Sequence, residues 1–192
     1  MNSFASMFAI TIAAAASATS AAPVTYKIDP DHTYPSFEAD HMGVSVWRGK
    51  LNKTRGKVML DKAAGTGTLD VAVDLSSIDF GQDALNRWAR GPEFFNVRKH
   101  PLATYKGRLD GFANGVPSQV VGDLTLRGVT RPVVLKINAF KCMPHPLFKR
   151  ELCGADALAT FNRDEFGLDA GKDYGFNMEV TLRIQVEAIQ AE

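Results

Sequence analysis

EVTLRIQVEA, residues 179–188, decides how the rest of this chain is read. Val180, Leu182, Ile184, Val186 and Ala188 alternate with Glu179, Thr181, Arg183, Gln185 and Glu187. A strand turns successive side chains to opposite faces, so this period of two predicts a strand with one apolar and one wet face. The same parity separates Leu69, Val71, Val73 and Leu75 from Asp70 and Asp74. It also separates Val133, Leu135 and Ile137 from Lys136 and Asn138. Further strands are read over residues 34–42, 44–51, 55–61, 102–110, 118–127 and 150–162, with turn signals at GTG 65–67 and NGVP 114–117.

Helix is scarce. Gln82–Arg90 is the one credible stretch, with Leu85, Trp88 and Ala89 on one face, and Gly91 and Pro92 stop it. Many strands with one apolar face, a single short helix and no alternation of strand with helix predict an all-β fold. The expected architecture is an antiparallel β-barrel of about eight strands, with a two-layer sandwich as the alternative. An immunoglobulin-like sandwich fits poorly, because the two cysteines are eleven positions apart with no Trp between them.

The first 22 residues, MNSFASMFAITIAAAASATSAA, carry no charge, run apolar from Met7 to Ala16 and end in small side chains. That is the profile of a signal peptide over residues 1–22, although the usual basic residue after Met1 is missing. The apolar run is too short to span a bilayer. The remaining residues 23–192 make one ordinary domain, large enough to bury a sufficient core without a metal. With 22 Lys and Arg against 21 Asp and Glu, the net charge is +1 and no charge block suggests nucleic acid.

Export makes oxidation available, and two cysteines leave one intramolecular pairing, so a disulfide between Cys142 and Cys153 is expected, with two buried free thiols as the alternative.

Several ordered motifs carry a resemblance. YKIDPDHTYPSFEADHMGVSVWRGKL, PEFFNVRKHPLATYKG, GDLTLRGVTRPVVL and FNRDEFGL together resemble the YceI-like family of exported, lipocalin-like barrels, across nearly all of the chain after Tyr26. The resemblance implies an elongated apolar tunnel that holds isoprenoid chains, quinone-like lipids or other long amphiphiles. Two departures stand out: DALNRWARGPEFF lacks the charged run common there in the family, and the cysteine pair marks a subgroup.

Parity supplies candidate lining residues. Pro35, Phe37, Ala39 and His41 share one face, as do Trp47, Gly49 and Leu51, while Glu38 and Asp40 turn to water. Val71, Val73, Leu124, Leu135, Leu182 and Ile184 join the inward rows, and Gly122 in the row of Val120, Leu124 and Leu126 leaves space there. A packed core with a glycine bend is the competing reading of the same rows. Trp88, Phe94 and Phe95 form either a lid that touches the lipid or an ordinary core plug. His41 is an inward polar group, either a satisfied structural histidine or one that bonds a headgroup.

The sequence has no metal-ligand spacing, nucleophile elbow, phosphate loop or haem-attachment motif. Asp40 and His41 point to opposite faces of their strand and cannot form a dyad. The expected function is a non-enzymatic exported carrier or store for a long apolar lipid, a polyisoprenoid or isoprenoid quinone, in the periplasm or secreted. Alternatives are a barrel for fatty acid or fatty amide, an uncharacterised hydrolase, and a non-catalytic accessory partner of a membrane redox complex. No cofactor is expected beyond a bound isoprenoid-type lipid. The expected partners are that lipid, the membrane as its donor or acceptor only, and a second copy in a homodimer.

Overall fold

The structure is a computed structural model that describes residues 22–192; the signal segment read over 1–22 lies, apart from Ala22, outside the described residues. The strands are β1 (Val24–Ile28), β2 (Tyr34–His41), β3 (Ser45–Leu51), β4 (Thr54–Asp61), β5 (Thr66–Asp74), β6 (Ile78–Asp79), β7 (Leu102–Asp110), β8 (Gln119–Leu126), β9 (Val129–Pro144), β10 (Glu151–Asn162) and β11 (Glu179–Gln190). One α-helix, α1 (Asp83–Arg90), lies between β6 and β7. Neighbouring strands are antiparallel throughout.

These segments form a closed ring of eight. It runs β1, β4, β5, β7, β8, β9, β10, β11 and back to β1. Two long strands are each broken once. β1 and β2 lie end to end along β11, where Ile28 faces Ala188 and Tyr34 faces Gln185. The break falls at Asp29–Thr33, where Pro30 has no N–H to give the ladder. Thr33 replaces the missing bonds: its hydroxyl donates to the Glu187 carbonyl at 3.2 Å and accepts from the Glu187 amide at 3.1 Å. β3 and β4 are likewise one strand interrupted at Asn52 and Lys53. Beyond these breaks β2 stays paired to β11 from Tyr34 to Ala39 and carries β3 on its other side, an arm that extends the wall at one end of the barrel, and among the described residues β3 pairs on its far side only at Lys50 and Leu51, with β6.

α1 covers the same end. The Gln82 side chain accepts from the Leu85 amide at 2.6 Å, Asp83 sits in the first turn, and Arg87 and Arg90 sit in the last, all in the sense the helix dipole favours. The Asn86 side chain accepts from the Phe80 amide at 2.7 Å and fixes the helix to the chain after β6. Ala89 and Phe95 then pack beneath it with Leu75, Ala103, Leu126 and Phe166.

The expected barrel, its helix and the Cys142–Cys153 disulfide are all present. Three details differ. β1 and β6 escape the sequence reading because they are short, and β9 runs to Pro144, well past Ile137. At Asn138 a bulge shifts the register, since Ile137 pairs with Ala157 and Ala139 with Asp156. The extra residue flips parity, so Phe140 and Cys142 turn inward where simple alternation would put Ala139 and Lys141. Gly122 does not open space: a Cβ there would lie 2.4 Å from the Lys106 carbonyl and 2.9 Å from the Tyr105 ring. It faces Gly107 across the β7–β8 pair, and the two glycines let the sheet curl tightly while Tyr105 fills the inside of the bend.

Candidate binding cavity

The inward rows do not meet at the barrel axis. They enclose a cavity of about 320 Å³, bordered on β11 by Val180, Leu182, Ile184, Val186 and Ala188. Eight residues of strand span about 27 Å. At the usual barrel tilt that is about 20 Å along the axis, so the space is a narrow channel.

Eleven of the twelve residues expected to bind lipid border this channel: Phe37, Trp47, Val71, Val73, Trp88, Phe94, Phe95, Leu124, Leu135, Leu182 and Ile184. His41 does not. It ends β2, two residues past the last β2–β11 pair, and its ring stacks on Trp47 at 4.2 Å and meets Phe176 edge-on at 4.9 Å. Asp40 contributes to the rim of the cavity, and its carboxylate, expected to face water, accepts from the Gly43 amide at 3.0 Å in an exposed turn. The lid and plug readings of the aromatic segment divide between residues. Phe95 is buried in core, whereas Trp88 borders the channel and remains 39% exposed.

One end of the channel is shut. Tyr26, Leu60 and Cys153 are buried there, and Tyr26, only 1% exposed, donates its hydroxyl to Glu151. Lys62 meets the same carboxylate at 2.7 Å, so β1, the turn after β4, and β10 are tied at one point. Burial and the Glu151 charge push the Tyr26 hydroxyl well above the ordinary phenol range and keep it a donor. The disulfide joins β9 to β10 beside this floor, with Cys142 directly opposite Cys153.

The other end is open and aromatic. Trp47, 38% exposed, leads through His41 to Phe176, whose ring packs against Gly171. Across the mouth Trp88 meets Phe94 with ring centres 4.9 Å apart. Between these groups lies Arg163, 7% exposed, which donates to the Leu168 carbonyl and, at 2.7 Å, to the Ala170 carbonyl. Phe94 also covers its guanidinium at 5.9 Å. Sequence reading missed Arg163, although its parity with Ala157, Ala159 and Phe161 was a usable sign that it turns inward.

Other polar groups in the lining are few. The Tyr105 hydroxyl is spent on the Val133 carbonyl at 2.7 Å, and burial, with the nearby Asp123 charge, pushes its pKa far up, so it stays protonated. The Thr54 hydroxyl is buried with no partner among the described residues. Away from the lining, His32 Nδ1 lies 2.7 Å from Asp29 in the exposed turn between β1 and β2. Such a surface can desolvate hydrocarbon over its whole length and offers bonds to a polar ligand at few points.

The YceI-like domain family matches residues 26–188 of this chain. A UPF0312 protein of Pseudomonas aeruginosa (strain LESB58) is 31% identical over 169 residues, covering 86% of each chain. A UPF0312 protein of Yersinia pestis (strain Pestoides F) is 34% identical over 181 residues, covering 91% of each. Among solved structures, BcnA of Burkholderia cenocepacia superposes with a TM-score of 0.66 at 19% identity, covering 83% of this chain and 98% of that one. A polyisoprenoid-binding domain from Saccharophagus degradans superposes with a TM-score of 0.62 at 18% identity, covering 88% and 99%.

Proposed function

This chain belongs to the YceI-like family, and on that premise we propose that it is an exported carrier or store for one long, mostly hydrocarbon lipid, a polyisoprenoid or an isoprenoid quinone. The observation that carries the reading is the unbroken apolar wall from Val180 to Ala188, closed at the floor and open between Trp47 and Trp88. Each methylene moved from water onto such a wall contributes about 0.8 kcal/mol, so a tail of roughly ten carbons suffices for tight binding against the cost of immobilising it. The structural relative that binds a polyisoprenoid supports the same ligand class here.

The lining residues act by dispersion and exclusion of water. A nucleophile beside a general base is not what they supply, and the protein is accordingly a binder and not an enzyme. The signal peptide over 1–22 sends residues 23–192 to the periplasm or outside the cell. There the membrane serves as donor or acceptor of the lipid. The mouth suits that exchange: Val44 at the tip of the β2–β3 arm is 80% exposed, and Met42 beside it occupies the left-handed region at φ 55°, an apolar residue where Asn or Gly would be the easier choice. Among the described residues no helix is long and apolar enough to cross a membrane.

Native mass spectrometry of protein purified without detergent tests the reading. The expected spectrum shows one lipid per chain, released into organic solvent and identified there. A protein that emerges empty and refuses polyprenols, quinones and fatty acids alike overturns it.

A further inference from the structure

Arg163 is a charge placed where hydrocarbon is expected. It borders the cavity mouth at 7% exposure, and among the described residues no carboxylate lies within salt-bridge distance of its guanidinium. Two of its N–H groups go to the Leu168 and Ala170 carbonyls, which ties the corner after β10. A guanidinium carries five such donors, and the rest have no acceptor among the described residues. A buried cation is costly unless something compensates it, so the charge needs a reason that the corner does not give.

We infer that Arg163 anchors the headgroup of the bound lipid, and that the headgroup presents an acceptor oxygen, a carboxylate best and a carbonyl next, at the aromatic mouth while the tail runs toward Tyr26. This rests on the carrier reading and adds the polarity and orientation of the ligand. The donors left over on Arg163 meet that oxygen, and charge assistance makes a carboxylate the strongest partner. Phe94 and Trp88 on one side, and Phe176 and Trp47 on the other, keep water from the pair. Burial loosens the guanidinium's hold on its proton, while Asp164 and Asp169 nearby strengthen it, so it stays a cation. A headgroup held here leaves the buried Thr54 hydroxyl, lower on the wall, to the tail region.

The experiment titrates delipidated full-length mature protein with three ligands of one tail: geranylgeranoic acid, its methyl ester and the hydrocarbon without a headgroup. The wild type is expected to rank them in that order, with the acid at least tenfold tighter than the hydrocarbon. Arg163→Gln is expected to shrink the preference below threefold while hydrocarbon affinity stays the same, and Arg163→Lys to keep part of it. Equal affinities in the wild type, a preference that survives Arg163→Gln, or one that vanishes in Thr54→Val instead, overturns the anchor while the carrier reading stands. Failure of all three ligands to bind removes both. Should Arg163→Gln not fold, the wild-type Arg163 Nε–Hε resonance decides: it shifts on adding the acid and not the hydrocarbon, and a resonance that ignores the acid overturns the anchor.

Discussion

The two ends of this barrel are built from the same kind of strand and secured in opposite ways. At the floor Tyr26, Glu151, Lys62 and the Cys142–Cys153 bond join β1, β4, β9 and β10, and their apolar neighbours are buried. At the mouth the strands part, β3 has no partner beyond β2 from Ser45 to Gly49 among the described residues, and the aromatic side chains that meet there keep much of their surface in water. A channel with two tight ends could not be loaded, and one with two loose ends would leak and fold poorly. The contrast assigns stability to one end and exchange to the other.

The division should appear first at Tyr26. Tyr26→Ala removes a fully buried ring and its bond to Glu151, and a loss of about 3–5 kcal/mol is expected in urea unfolding. A loss below about 1 kcal/mol would mean that the floor is not where stability resides. Replacing Cys142 and Cys153 by Ser should cost about 2–3 kcal/mol, mainly by freeing the unfolded chain. In a domain of this size each kcal/mol is about 2–4 °C of Tm, so calorimetry resolves the change. Lipid content should be unaltered, and its disappearance would show that the disulfide shapes the channel.

Val73→Trp sharpens the comparison from the other side. Its added atoms enter the channel, so bound lipid measured by mass spectrometry should fall at least fivefold while the unfolding midpoint barely moves. If instead stability drops by about 1–3 kcal/mol with lipid retained, the barrel around Val73 is packed and not hollow.

The smallest effect concerns the arm. Glu38 accepts from Arg183 and from Arg48, each at 2.9 Å, and joins β2 to β3 and β11. Arg183 foremost, then Arg48, holds its carboxyl below the ordinary range. The unfolded carboxyl titrates near about pH 4.3, so the pairing stabilises fully above that value and is lost as pH falls through the lower folded one. Glu38→Gln should therefore be slightly less stable than the wild type at pH 7, and the difference should shrink as pH falls from 7 to 3. A constant difference at both values would assign the effect to packing. The groups are exposed, so the effect is small.

Most of the wall was legible because β11, β5 and β8 keep strict alternation and an apolar inner face. What failed did so where alternation fails. The Asn138 bulge shifts parity on β9 and hides Phe140; Gly122 reads as a gap, but Tyr105 from the next strand fills it. His41 keeps the right parity on β2 yet lies beyond the point where the ring ends, a boundary set by pairing partners that no single strand reveals. Arg163 carried the right parity but the wrong polarity for a core, and a charge in an apolar row is easily assigned to the surface.

Closure of the ring has a consequence in time. Tyr26, Lys27 and Ile28 pair with Gln190, Ile189 and Ala188, and the Ala191 amide donates to the Thr25 carbonyl, so the first strand waits for the last residues of the chain. Contacts this distant in sequence fold slowly, in milliseconds to seconds. The hairpin between Cys142 and Cys153 needs only its own stretch and can form early, as a template on which β11 arrives. A chain cut a few residues short would lose the β1–β11 pairs and be left with those between β2 and β11 at the seam.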